Sequence, residues 1–202
     1  MIIGPMFAGK SSAVLQRIRR AQVINKKVFI VTSIIDKRYD NRGCAVKTHD
    51  NEGISAEGVK ELSDVFLLSG YHSADLVVIE EAQFFKDLYA IVKRMVDIDK
   101  KNVVVVGLNG DSDRKPFGEI LELIPISDTI TNLTALCKRC GDGTPGLFSA
   151  LKGTKTEQVC VGGVGQYEAL CRNHYLSLHA SQNSQNSQAS QKSVETRNAE
   201  KV

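Results

Sequence analysis

No apolar run in this chain approaches the roughly 20 residues that a membrane-crossing helix needs; even Val103 to Leu108, among the longest, falls far short. Net charge is equally scarce. The chain has 26 basic side chains against 23 acidic ones, a balance of +3, and the basic residues are scattered apart from Arg17, Arg19 and Arg20. That trio reads as the solvated face of one helix, so neither a membrane nor a nucleic acid is expected as a partner. A charged segment followed by an apolar stretch and a cleavage site is missing from the N-terminus, which runs straight into glycine-rich sequence, so no secretory leader is expected. Without one, the 5 cysteines point to a reducing, cytoplasmic setting in which spaced pairs read as metal sites rather than disulfides.

The 202 residues are 42% hydrophobic and 24% charged, ordinary globular usage for one domain and a small appendage. Met1 to Ile3, Lys27 to Thr32, Leu76 to Ile79, Val103 to Leu108 and Thr129 to Leu136 read as strands, and the uninterrupted apolar ones suit burial on both faces. Lys10 to Gln22 reads as a helix. A second helix carries Leu88, Ile91, Val92, Met95 and Val96 at i, i+3, i+4, i+7 and i+8. Alternating strands and helices predict an α/β fold with a parallel sheet and helices on both faces. Between Ile35 and Ala56 the pattern dissolves, which predicts a long functional loop. The expected units are residues 1–136, a small unit over 137–178, and a Ser/Gln/Asn-rich tail over 179–202 that is too polar to fold. The tail from Ser181 is expected to be dispensable for chemistry.

Gly4, Pro5, Met6, Phe7, Ala8, Gly9, Lys10 and Ser11 satisfy G-x-x-x-x-G-K-[ST] between a strand and a helix, the setting a phosphate-binding loop requires. Glycines let backbone amides curl round a phosphate at the helix N-terminus. Lys10 would neutralise β- and γ-phosphate oxygens and Ser11 would hold Mg²⁺. Glu80 and Glu81 follow a buried strand, where a metal-holding carboxylate belongs in such a protein. Glu80 suits the hydrated magnesium and Glu81 a proton-accepting role; a solvated acidic pair opening the next helix is the alternative reading.

Cys137 and Cys140 form C-x₂-C, and Cys171 and His174 form C-x₂-H. Two chelating pairs supply all four corners of a tetrahedron, which predicts a structural zinc site with no open position. A redox dithiol at Cys137 and Cys140 is the runner-up. Cys44 and Cys160 have no such partner.

Taken together, GPMFAGKSS, IEEAQFF, GLNGDSDRKPFGEI, CKRC and VGGVGQYEALCRNHY resemble, in order, the cytosolic, vaccinia-like type of thymidine kinase. The resemblance implies a phosphate-loop NTPase-type α/β domain for ATP and a zinc-stapled lasso that closes over thymidine. It places Gly4 to Ser11, Asp36, Lys37, Arg38, Glu80, Glu81, Ala82 and Gln83 at the nucleotide, with Glu81 as catalytic base. It places Met6, Phe84, Leu108, Ser112 and Phe117 around the thymine. Ser149, Gln158, Val159, Cys160, Val161, Gly162 and Tyr167 then lie on the lasso, whose backbone reads the pyrimidine edge. It also implies acceptance of deoxyuridine, feedback by dTTP and a homotetramer.

Four positions depart from the family pattern: Glu80 replaces an Asp, Asn109 an Asp, Ser112 a stacking Phe and Leu151 a basic residue. The chain also starts closer to the phosphate loop than is usual in the family. Two other readings of the motifs are a different phosphate-loop ATPase, on the strength of Glu-Glu-Ala-Gln, and a zinc-ribbon nucleic-acid-binding module. The first lacks a second motor domain in this length, and the second leaves the phosphate loop unexplained.

Overall fold

The computed structural model describes residues 1–35, 45–47, 53–153 and 165–180. In chain order these contain β1 (Ile2–Ile3), α1 (Lys10–Val23), β2 (Val28–Ser33), β3 (Ala45–Lys47), β4 (Gly53–Ser55) and β5 (Glu57–Val59). Then come α2 (Ser69–Ser73), β6 (Leu76–Glu80), α3 (Leu88–Asp97) and β7 (Asn102–Gly107), followed by β8 (Thr131–Asn132), β9 (Ala135–Leu136), β10 (Pro145–Gly146), β11 (Phe148–Leu151) and β12 (Tyr167–Leu170). Residues 172–180 form a last helix, α4. Short 3₁₀ segments span Leu62–Leu67, Ala82–Phe84 and Ile120–Ile126.

Six strands form one sheet in the order β5-β2-β6-β7-β1-β8, every neighbouring pair parallel. The phosphate-loop strand β1 is thus separated from β6, which ends in Glu80, by the single strand β7. Side chains alternate across this sheet with period two. Ile2, Ile30, Val78 and Val106 pack with Val14, Leu15 and Ile18 of α1 on one face. Ile3, Phe29, Val31, Val77, Ile79 and Val105 pack with Leu88, Val92 and Met95 of α3 on the other. Both faces are covered, which is why the strands are Val- and Ile-rich without polar interruption.

Two expectations change. Ile35 to Ala56 is not an unbroken loop, because β3 and β4 pair as an antiparallel hairpin. Each strand is three residues long, too short to print an alternating pattern on the sequence, yet Ile54 and Ala56 pack on the α1 face. Thr129 to Leu136 is two strands rather than one. β8 pairs with β1, but β1 stops at Ile3, and Leu133, whose N–H bonds the Ile3 carbonyl at 2.8 Å, ends the pairing. β9 then turns away to pair with β10.

Cys137, Ala150, Leu170 and Tyr175 form a separate small cluster, with Cys140, Phe148, Cys171 and Leu178 at its edge. Among the described residues no helix is long and apolar enough to cross a membrane.

Candidate active site and metal centre

The phosphate loop leaves β1 at Gly4, whose φ of 149° and close approach admit no side chain: a Cβ there would lie 2.3 Å from the Leu133 carbonyl oxygen. Gly9 ends the loop at φ 77° and opens α1 with no side-chain cap and no acidic residue in the first turn. The first amide groups of α1 are therefore not competed for by a neighbouring carboxylate, as an anion site requires. Lys10 reaches back across the loop, donating from Nζ to the Pro5 carbonyl at 2.7 Å and the Gly4 carbonyl at 3.2 Å. A phosphate would offer this ammonium stronger, charge-assisted bonds than carbonyls do.

Adjacent in sequence, Glu80 and Glu81 part company in space. By alternation along β6, Glu80 follows Val78 onto the face that α1 covers, and it is buried to 6% exposure. Its register partner on β2 is Thr32, whose buried Oγ1 has no hydrogen-bond partner among the described residues. A buried carboxylate beside an orphaned hydroxyl, on the face from which Ser11 rises, is a chemically reasonable seat for a hydrated divalent cation. Glu81 instead takes a left-handed turn, φ 50° and ψ 40°, uncommon for a residue with a side chain. Its carboxylate Oε2 accepts a 2.6 Å bond from Gln83 Nε2. Gln83 is itself buried, and its Oε1 accepts from the Leu108 N–H at 3.0 Å.

The residues expected around the substrate fall into two groups. Phe84 and Phe117 meet edge to face at 5.6 Å, and Leu108 joins them through Gln83. Met6 donates its N–H to Ser149 Oγ at 2.9 Å, and Tyr167 lies on β12, antiparallel to Ser149's strand. A cleft of about 240 Å³ is lined by Pro5, Asn109, Asp111, Arg114, Phe148 and Ser149, among others. Ser112 is buried, and its carbonyl accepts a 2.6 Å bond from the Tyr175 hydroxyl. Asp36, Lys37 and Arg38, the stretch Gln158 to Gly162, Cys44 and the tail from Ser181 lie outside the described residues.

The cysteine and histidine pairs converge as the spacing predicts. Cys137, Cys140, Cys171 and His174 place their ligand atoms within 4.8 Å of one another. His174 Nδ1 lies 3.5, 3.3 and 3.4 Å from the sulfurs of Cys137, Cys140 and Cys171, and Cys140 and Cys171 Sγ are 3.8 Å apart. Zinc bonded at about 2.3 Å to sulfur and about 2.0 Å to nitrogen has tetrahedral edges of about 3.8 Å (S···S) and about 3.5 Å (S···N), so the donor set fits that ion. The same sulfur separation is far too long for a disulfide, whose S–S bond is about 2.05 Å. Burial opposes the Cys137 thiolate, but backbone N–H groups of Cys171, Cys140 and Arg139 and the His174 ring outweigh it and lower its pKa. Burial pushes Cys140 the other way, with help from its thiol neighbours.

A phosphate-loop motif and a carboxylate pair one strand apart, together with four donors that could hold a metal ion, are the makings of a phosphate-loop nucleotide enzyme. A sequence model of the family described as thymidine kinase matches residues 1–175. Thymidine kinase a of Arabidopsis thaliana is 38% identical over 182 residues, covering 89% of this chain and 75% of the plant protein. The thymidine kinases of variola virus (isolate Human/India/Ind3/1967) and vaccinia virus (strain Western Reserve) are each 37% identical over 176 residues, 87% of this chain and 95% of the viral proteins. The chain belongs to the thymidine kinase family.

Several residues of the site carry no signal in the sequence. Thr32 is the polar end of an apolar run, and only the register with Glu80 gives it meaning. Asp111 shapes the turn after β7, its Oδ1 accepting from the N–H groups of Asp113 and Lys115, both at 2.9 Å. Tyr175 directly follows His174 of the four-donor cluster, and burial raises its pKa, so it remains a donor to Ser112. Tyr175→Phe leaves that buried carbonyl without its donor and is expected to lower stability by about 1–3 kcal/mol, with zinc stoichiometry intact; urea unfolding checks it.

Proposed function

We propose that this chain transfers the γ-phosphate of ATP to the 5′-hydroxyl of thymidine, and of deoxyuridine, giving the nucleoside monophosphate and ADP. The observation that carries the reading is the divergence of the acidic pair. Glu80 is buried toward the phosphate-loop helix, while Glu81 turns off the strand and is held by Gln83. One carboxylate is suited to a cation beside the phosphates and the other to a proton on the attacking oxygen.

The loop amides and Lys10 hold the phosphates, and the N-terminus of α1 adds partial positive charge. Ser11 and Glu80 would hold Mg²⁺, which supplies neutralisation of phosphate charge when bound. Glu81 accepts the 5′-hydroxyl proton. Phe84, Leu108 and Phe117 supply apolar walls for the base, and Ser149, Tyr167 and the stretch Gln158 to Gly162 supply its lasso side. Asp36, Lys37 and Arg38 stand near the nucleotide. Zinc at Cys137, Cys140, Cys171 and His174 is structural. Feedback by dTTP, a homotetrameric assembly, a cytoplasmic setting and the division at residues 136 and 178 belong to the same reading.

The test is to incubate purified protein with ATP, Mg²⁺ and each natural nucleoside in turn. Thymidine and deoxyuridine should yield their 5′-monophosphates with one ADP each. Equal phosphorylation of purine nucleosides, or ATP hydrolysis without transfer, would overturn the assignment.

A further inference from the structure

Gln83 is expected from the family pattern to lie near the nucleotide, yet both ends of its side-chain amide are engaged by the protein. Nε2 donates to Glu81 Oε2 at 2.6 Å and Oε1 accepts from Leu108 N–H at 3.0 Å. The side chain is only 3% exposed, so few water molecules compete for these bonds. The surrounding backbone is cleared to receive it. A Cβ on Gly107 would lie 2.4 Å from Gln83 Oε1, and one on Gly118 would lie 2.3 Å from the Gln83 carbonyl oxygen. Gly118 also has φ 59°, so a side chain there would be strained as well as crowded. Two glycines on two different segments thus make room for one glutamine.

What that glutamine holds is a residue in a costly backbone state. Glu81 has left-handed dihedrals, which for a residue with a Cβ persist only where the surroundings over-determine them. The bond from Gln83 is one such determinant. It also ties one carboxylate oxygen, Oε2, to the amide and so restricts the rotation of the carboxylate. At its other end the amide grips Leu108, the residue directly after β7, while Gly118 neighbours Phe117. The side chain therefore links the carboxylate to the Leu108 wall of the expected base pocket, while the Gln83 backbone lies against Gly118, beside Phe117.

We propose that Gln83 is a positioning residue for Glu81, orienting its carboxylate for the proton transfer and locking that orientation to the Leu108 wall. The proposal rests on the reading of Glu81 as the base. An amide is required because it offers a donor at one end and an acceptor at the other. A carboxylate at position 83 keeps the acceptor for Leu108 and loses the donor; a thioether of similar length loses both.

The experiment compares Gln83→Glu, Gln83→Met, Glu81→Gln and the double variant Glu81→Gln/Gln83→Met, with zinc content and urea midpoint recorded for each as folding controls. Gln83→Glu is expected to lower kcat on the order of 10²-fold, the scale of a misaligned catalytic group, with the KM for thymidine unchanged. Gln83→Met is expected to lower kcat similarly and to raise that KM, because Leu108 is released. In the Glu81→Gln background Gln83→Met should cost almost no further kcat, since a residue acting through another shows no effect once that other is gone. If Gln83→Met lowers kcat by the same factor in both backgrounds, Gln83 is only structural and the proposal is overturned. Retention of kcat by folded Gln83→Met while Glu81→Gln is impaired overturns the proposal alone. Retention of kcat by Glu81→Gln removes the base assignment, and the proposal with it.

Discussion

Glu81→Gln is expected to lower kcat by about 10²–10⁴, the range of a positioned general base, with ATP affinity nearly unchanged. The substitution keeps the size of the side chain and removes the charge and the proton-accepting oxygen. Phosphoryl transfer passes through a loose transition state, so the attacking hydroxyl becomes acidic late and an ordinary carboxylate is basic enough to orient it and then take its proton. ATP should still bind because Lys10, the loop amides and the start of α1 are built on β1, separated from β6 by β7. Glu80→Gln should behave differently, raising the Mg²⁺ concentration for half-maximal rate, because its carboxylate lies on the α1 face beside Thr32. Single-turnover kinetics at saturating ATP separate the two variants. More than about a tenth of the wild-type rate in Glu81→Gln, outside the general-base range, with chemistry rate-limiting, would remove Glu81 from the role.

The difference between the two glutamates also shows where sequence reasoning reaches its limit. The strand before them was legible because Leu76 to Ile79 is apolar without a break, and the phosphate loop because its glycines and lysine have fixed spacing. The convergence of the four cysteine and histidine donors was legible for the same reason: two x₂ pairs can each span one edge of a tetrahedron. What spacing does not carry is direction. Nothing in the letters Glu-Glu-Ala-Gln says that the second residue adopts φ 50° or that the fourth bonds back to it, since a left-handed turn at a non-glycine residue is decided by tertiary contacts. The hairpin of β3 and β4 was missed because three-residue strands hold too few periods to read. The split of Thr129 to Leu136 depends on where β1 ends, a fact about a different part of the chain.

Cys140→Ser is expected to abolish stoichiometric zinc and to raise the KM for thymidine steeply, with ATP binding largely kept. Among the described residues the small cluster around the site buries Cys137, Ala150, Leu170 and Tyr175, and a core of that size does not hold a fold without a staple. Structural zinc supplies an apparent binding energy of about 10–16 kcal/mol in small zinc domains, so its loss unfolds the unit rather than loosening it. Cys140 lies 3.3 Å from His174 Nδ1 and 3.8 Å from Cys171 Sγ, so one substitution removes a donor that meets both members of the other chelating pair and leaves three donors where a tetrahedral ion needs four. The consequence reaches the site by two bonds: Ser149 Oγ accepts from the Met6 N–H of the phosphate loop, and the Tyr175 hydroxyl holds the Ser112 carbonyl. Thymidine, expected between these segments, loses one wall, whereas the phosphate site keeps its two-faced sheet core. Elemental analysis and nucleotide titration of the variant distinguish the outcomes. Full activity in protein free of stoichiometric zinc would show that the four donors hold the lobe together without a metal, and that thymidine binding does not depend on one.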